Sequence, residues 1–123
     1  MRVVEEADVI QPYRHVWNVT LARWIDELAA IIFDRSGTVA KGLSWFILDQ
    51  ETRFRAETME GDRVRAVVTL PAIERVTARL DVRLVREQDE VTLVECRSTW
   101  ILVSLADRRP RRIDDGMRAR IAQ

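Results

Sequence analysis

Residues 11–27, QPYRHVWNVTLARWIDE, hold most of the side chains in this sequence that could act together in chemistry. His15 is the only histidine, so any Ser-His-Asp arrangement would have to use it. It could serve as a general base if it lies within hydrogen-bond reach of an attacking water. Gln11 offers an amide, which orients water or bonds a carbonyl but cannot take a proton near neutral pH. Asp8, a few residues earlier, is a second possible acid or a solvated charge at a strand end. Asn18 and Thr20 stand where a helix should begin, and either could cap it. Such an end carries free N–H groups and partial positive charge, worth on the order of 0.3–1 kcal/mol toward an anion even at exposed sites.

Other residues widen the inventory. Trp17, Leu21 and Trp24 share a helical face and either form core or border an apolar pocket; Trp17, beside the polar residues, is the one placed to touch a ligand. Asp26 and Glu27 sit within the same helix, where Asp26 is expected to pair with an arginine. Arg108, Arg109, Arg111 and Arg112 form a basic run that could hold phosphates by charge-assisted bonds, or simply a solvated exit loop. A single cysteine, Cys96, allows no intramolecular disulfide, and one cysteine with one histidine leaves no Cys or His cluster for a metal. Lys plus Arg and Asp plus Glu both number 20, so no global basic field points to nucleic acid. No apolar run approaches the ~20 residues of a membrane span. The start, MRVVEEADV, lacks the shape of a signal peptide, so the expected location is the cytoplasm.

The elements that must position these residues follow from periodicity. Residues 2–10 are rich in Val and Ile and read as an edge strand, and QPYRH reads as a loop. Trp17, Leu21, Trp24, Ile25, Leu28 and Ile32 lie on one face of a helix that ends at Ser36-Gly37. The period then changes to two. Residues 43–55, 63–70, 76–85 and 91–105 read as strands joined by tight turns, with Pro71 demanding a break or a bulge. In the first of these Phe46, Leu48 and Phe54 share a parity. Residues 100–105 are apolar on both faces, which predicts a doubly covered stretch, with a subunit contact as the cover. The tail DDGMRARIA predicts a short last helix. Consecutive strands with short connections imply an antiparallel sheet. The expectation is one domain over residues 1–123, of class α+β, with one long helix packed on a sheet face.

This order resembles the hotdog fold, in which an antiparallel sheet of about five strands wraps one long central helix. It resembles most the 4-hydroxybenzoyl-CoA thioesterase family, whose motif often takes the form D-x-x-G-H-V-N-N-x-x-Y-L-x-W-L-E. His15, Val16, Asn18 and Trp24 match that motif, and Asp26 matches its acidic end conservatively. RFRAETMEGDRVRA resembles the family's F-x-x-P-x-x-x-G-D-x-V segment, although Ala56 stands in the region where a proline is expected. STWILVSLADRRPRRID resembles the last strand and its R-P-x-R-I-P exit.

The resemblance implies hydrolysis of an acyl thioester on coenzyme A or an acyl carrier protein, at a site on the interface of a homodimer or dimer of dimers. No separate cofactor is implied, because coenzyme A is part of the substrate. The family's catalytic carboxylate opens the motif, and that position holds Gln11. Some hotdog thioesterases for polyketide chains are similar in carrying an amide there. The family's oxyanion donor, a backbone N–H at the start of the central helix, falls on Asn18. His15 is then a possible substitute base, Trp17 a substrate contact, and Arg108 and Arg109 candidates for the coenzyme A phosphates. The alternative is a non-catalytic acyl-thioester-binding or assembly subunit on the same scaffold. Another thioester reaction, such as dehydration, would need a catalytic pattern that is not evident.

Overall fold

The structure, a computed structural model, describes residues 2–5, 9–10 and 15–122, with residues 9, 10 and 15 described by their backbone alone. Helix α1 spans Asn18–Asp34 and buries Thr20, Leu21, Trp24, Ile25, Ala29, Ile32 and Phe33 along one stripe. That stripe follows the expected period, extended at its far end by Ala29 and Phe33. Four long strands follow: β4 (Leu43–Phe54), β5 (Arg63–Ile73), β6 (Thr77–Arg86) and β7 (Val91–Ser104). Ahead of the helix lie three two-residue strands: β1 (Arg2–Val3), β2 (Val9–Ile10) and β3 (His15–Val16). Helix α2, Asp115–Ile121, closes the chain.

The main sheet is antiparallel, in the order β1-β5-β6-β7-β4, and β2 pairs with β3 separately. Its alternating strands set Leu80, Val82, Leu84, Val94 and Cys96 against the buried stripe of α1. This is the hotdog arrangement that the sequence resembles. Register shifts fall at Thr69/Ala72, Leu84/Val85 and Ile47/Asp49. The first brackets Pro71, which has no N–H to give to the ladder, so the strand continues through the proline as a bulge. Such bulges add twist and curvature, which lets one sheet wrap a single helix.

Phe33 stacks on Trp45, with ring centroids 4.6 Å apart, and lies 5.1 Å from Trp100. Ser36 locks the helix end beneath them, accepting from Trp45 Nε1 at 3.0 Å and donating to the Phe33 carbonyl. Two stretches depart from simple alternation. Phe46, Leu48 and Phe54 share a parity in sequence, and each is 41–57% exposed. β4 is an edge strand, and the shift between Ile47 and Asp49 breaks the parity itself. The doubly apolar stretch at 100–105 finds much of its cover within the chain. Leu102 packs with Ile113 and Met117, and residues 109–111 run beside Leu102–Ser104 through backbone bonds.

Candidate active-site cleft

The β3-to-α1 junction carries the residues singled out from sequence. Val16 N–H donates to the Thr58 carbonyl at 2.7 Å, which pins this junction to the loop that follows β4. Trp17 is the N-cap of α1, with φ −59° and ψ 135° and no side-chain capping bond. Asn18 and Thr20, expected as caps, are instead the first and third helical residues. The reason is geometric: a capping side chain must precede the first helical residue, and Trp17, which occupies that place, has no side-chain acceptor oxygen. The first intrahelical donors are the N–H groups of Thr20 and Leu21, both on the Trp17 carbonyl. The N–H groups of Asn18 and Val19 precede that ladder, and no acidic side chain occupies the first turn.

The opposite wall is built from β4 outward. Arg55 and Ala56 both donate to the Leu93 carbonyl, at 2.8 and 3.3 Å, as the chain leaves the sheet. The turn beyond is fastened several times. Met59 N–H donates to Asp62 Oδ2 at 2.8 Å, and Gly61 turns with φ 88°, where a glycine carries no Cβ penalty. Val4 exchanges backbone bonds with Gly61 and Asp62. Arg86, from the end of β6, donates to the Glu57 carbonyl at 3.3 Å and lies 3.6 Å from Asp62 Oδ2. Arg55 is held on the sheet by Glu95, through Nε at 3.1 Å and Nη2 at 3.0 Å.

Between these walls lies a cleft of about 590 Å³. Val16, Trp17, Asn18, Val19 and Leu21 line one side; Phe54, Arg55, Ala56, Glu57 and Thr58 line the other. Trp17, Val19 and Phe54 keep 48%, 71% and 45% of their surface exposed, so the mouth is apolar and open. Glu57 is the only carboxylate among the described lining residues. Thr58 is buried, and its hydroxyl has no hydrogen-bond partner among the described residues. Among the described residues the arrangement brings together main-chain donors without a side-chain cap, a carboxylate and an unmet hydroxyl. Donors of that kind stabilise an oxyanion, and a carboxylate can take a proton.

Of the residues picked out from sequence, the structure brings Trp17 and Asn18 into the cleft. Gln11 and Asp8 lie outside the described residues, as does the side chain of His15, whose backbone is part of β3. Glu27 pairs with Arg2 and, at 3.9 Å, with Arg23, while Asp26 is exposed. Arg108 stacks over Phe46 at 5.8 Å, near the beginning of β4, while the cleft lies at the strand's end by Phe54. Eight residues of strand separate Phe46 from Phe54, roughly 25 Å at the usual rise. Arg108 and Arg109 are therefore not brought to the cleft of their own chain. Glu57 and Thr58 were missed from sequence because they sit inside a segment that reads as strand and turn. The departure from the family pattern around Ala56 was the one mark on that segment.

Among the described residues no group of three or more His, Cys, Asp or Glu is placed to hold a metal ion, and no helix is long and apolar enough to cross a membrane.

The family model of the thioesterase-like superfamily matches residues 4–121. No curated protein sequence matches the chain. Among solved structures, a probable thioesterase from Escherichia coli is similar with a TM-score of 0.81 at 12% identity, over 97% of this chain and 92% of that one. A 1,4-dihydroxy-2-naphthoyl-CoA thioesterase from Synechocystis gives 0.82 at 14% identity, over 98% and 91%. A hypothetical protein from Staphylococcus aureus, solved in complex with CoA, gives 0.86 at 13% identity, over 98% and 78%. At these identities the structures share the fold with this chain.

Proposed function

We propose, because the chain belongs to the thioesterase-like superfamily, that it hydrolyses an acyl thioester carried on coenzyme A or on an acyl carrier protein. The observation that carries this reading is the uncapped start of α1 opening into the cleft, with the Asn18 and Val19 N–H groups ahead of the helical ladder. A thioester carbonyl gains negative charge on oxygen as it is attacked, and fixed main-chain donors answer that charge without reorganising. In this reading the Asn18 amide holds the oxyanion, Gln11 orients the thioester or water, and His15 is available to them. Trp17 lies against the acyl group. The finer family assignment, 4-hydroxybenzoyl-CoA thioesterase, rests on the motif around His15 and Asn18.

The functional unit in this reading is a homodimer or dimer of dimers. β4 lies at the sheet edge, and Phe46, Ile47 and Leu48 on it are 41%, 42% and 57% exposed, a combination that invites pairing with another chain. Arg108 and Arg109 would then reach the coenzyme A phosphates of a neighbouring subunit's cleft. The test is a panel of short, long and aromatic acyl-CoA substrates followed by thiol release, with the mass in solution measured alongside. Release from at least one substrate supports the hydrolase. One observation favours a second reading, a binding or assembly subunit: Gln11 stands where the family carries its carboxylate. Acyl-CoA binding with no thiol release across the panel would select it.

A further inference from the structure

We infer that Glu57 is the catalytic base of this cleft, supplying from the loop after β4 the carboxylate that position 11 lacks. The inference rests on the hydrolase reading above and goes beyond it by naming the base. Three observations carry it. Glu57 is the only carboxylate among the described residues lining the cleft, and it lines the same cleft as the start of α1, with the neighbouring Thr58 carbonyl bonded to Val16. Its backbone is fixed on both sides: Arg86 Nη1 holds the Glu57 carbonyl at 3.3 Å, and the next carbonyl, of Thr58, accepts from Val16 at 2.7 Å. Its charge is not spent elsewhere. Arg55, two residues away, is committed to Glu95 through two bonds, and the Glu57 carboxylate has no partner among the described residues. The fixed backbone holds the exposed side chain of Glu57 at the cleft.

The chemistry closes without an added reagent. The Glu57 carboxylate takes a proton from water as the water oxygen bonds to the thioester carbon, and the carbonyl electrons move to the oxygen facing the Asn18 and Val19 N–H groups. When the carbonyl re-forms, the carbon–sulfur bond breaks and its electron pair leaves with sulfur. Glu57 returns its proton to that thiolate. The products are the carboxylic acid and the thiol, and Glu57 ends as a carboxylate.

The test replaces Glu57 in the full-length chain, with the acyl-CoA that the parent hydrolyses fastest. Glu57→Gln should lower kcat by about 100-fold or more, the usual scale of general-base catalysis, with KM held within about threefold. It should also abolish the acid-side fall of kcat/KM that a carboxylate base produces. Glu57→Asp, keeping the acid on a shorter arm, should fall between parent and Glu57→Gln. Melting temperature and coenzyme A binding confirm that each variant is folded. Parental kcat and pH profile in Glu57→Gln overturn the role of Glu57 alone, and so does a change confined to KM. Absence of thiol release by the parent on every substrate overturns the hydrolase reading, and the base with it.

Discussion

Replacing Asn18 by proline isolates the main-chain donor from everything else at the cleft. Proline is usually destructive in a helix because it removes an N–H and clashes with the preceding turn. Neither cost applies here. Asn18 is the first residue of α1, and its N–H precedes the intrahelical ladder, which begins at Thr20 and Leu21. Proline is favoured at that first position. The residue before a proline must be extended, and Trp17 already has φ −59° and ψ 135°. Stability should therefore stay within about 1 kcal/mol of the parent. Loss of one oxyanion donor lowers kcat by about 100- to 1,000-fold, or ~2.7–4 kcal/mol. Asn18→Ala keeps the N–H and should stay within a few-fold of the parent. The assay is thiol release under saturating acyl-CoA, with thermal melting and coenzyme A binding measured on both variants. A folded Asn18→Pro protein that keeps a third or more of the parental kcat refutes the oxyanion role of this N–H. Equal large losses in Asn18→Pro and Asn18→Ala would transfer the role to the side chain.

Thr58→Val swaps a buried hydroxyl, unpartnered among the described residues, for a methyl of similar shape, and an unmet buried group costs ~1–3 kcal/mol; the melting temperature should rise, and a fall of several degrees would mean the hydroxyl is bonded. Leu80→Ala, at a position 1% exposed between α1 and the sheet, should destabilise by ~2–5 kcal/mol in denaturant titration. Arg86→Ala removes the bonds to the Glu57 carbonyl and Asp62, so amide exchange should quicken at Met59 and Gly61, with a smaller change in Arg86→Lys. Gln11→Ala should reduce thiol release, and Gln11→Asp should raise it. Acid should weaken the fold: the Met117 N–H, above all, holds the Asp114 carboxyl below its ordinary value, and the Arg109 N–H does the same for Asp107. A carboxyl lowered in the folded state adds stability that is complete above its unfolded value, near pH 4, and is lost as pH falls through the folded one. Melting temperature should therefore hold through neutral pH and drop below about pH 4, less steeply in Asp114→Asn.

The long elements could be read from the chain because each buries one face, and burial writes its period into the sequence. Leu21, Trp24, Ile25 and Ile32 mark α1, and Leu80, Val82 and Leu84 mark β6. Pro71 announced a break or a bulge, because a residue without an N–H cannot continue a ladder unbroken, and the bulge is what forms. Phe46, Leu48 and Phe54 show the limit of that signal: alternation shows that a face is apolar, not that the same chain covers it. The covered stretch around Leu102 was legible, but its cover from Ile113 and Met117 arrives after a turn that no periodicity foretells. One wall of the cleft, Val16 to Val19, is contiguous and was legible. The other wall depends on where β4 leaves the sheet, which is set by its register against β7 and by the shift at Ile47/Asp49. Register of that kind is a property of the assembled sheet, so Glu57 and Thr58 stayed hidden.

The cleft is also where this chain departs from rules that it obeys elsewhere. Helix α2 begins with Asp114 accepting from Met117 at 2.8 Å, an ordinary cap. The far longer α1 begins with Trp17, which cannot cap, one residue ahead of an asparagine that could. Exchanging a good cap for a poor one costs about 1 kcal/mol, so the arrangement is unfavourable for folding alone. In the same cleft, Thr58 keeps a buried hydroxyl unmet among the described residues. Two other buried atoms are also unmet among the described residues, Trp24 Nε1 and Glu87 Oε2, so an orphaned group is not by itself a mark of function here. What distinguishes the cleft is convergence. Donors ahead of the ladder, an open apolar mouth at Trp17 and Phe54, and a fastened loop carrying Glu57 meet in one space. Folding gains nothing from the first two, and the bonds that fasten the loop also fix where Glu57 stands. A ligand with an oxyanion to receive and a proton to give up would make use of all three, and that is the physical content of reading the cleft as a site for thioester hydrolysis.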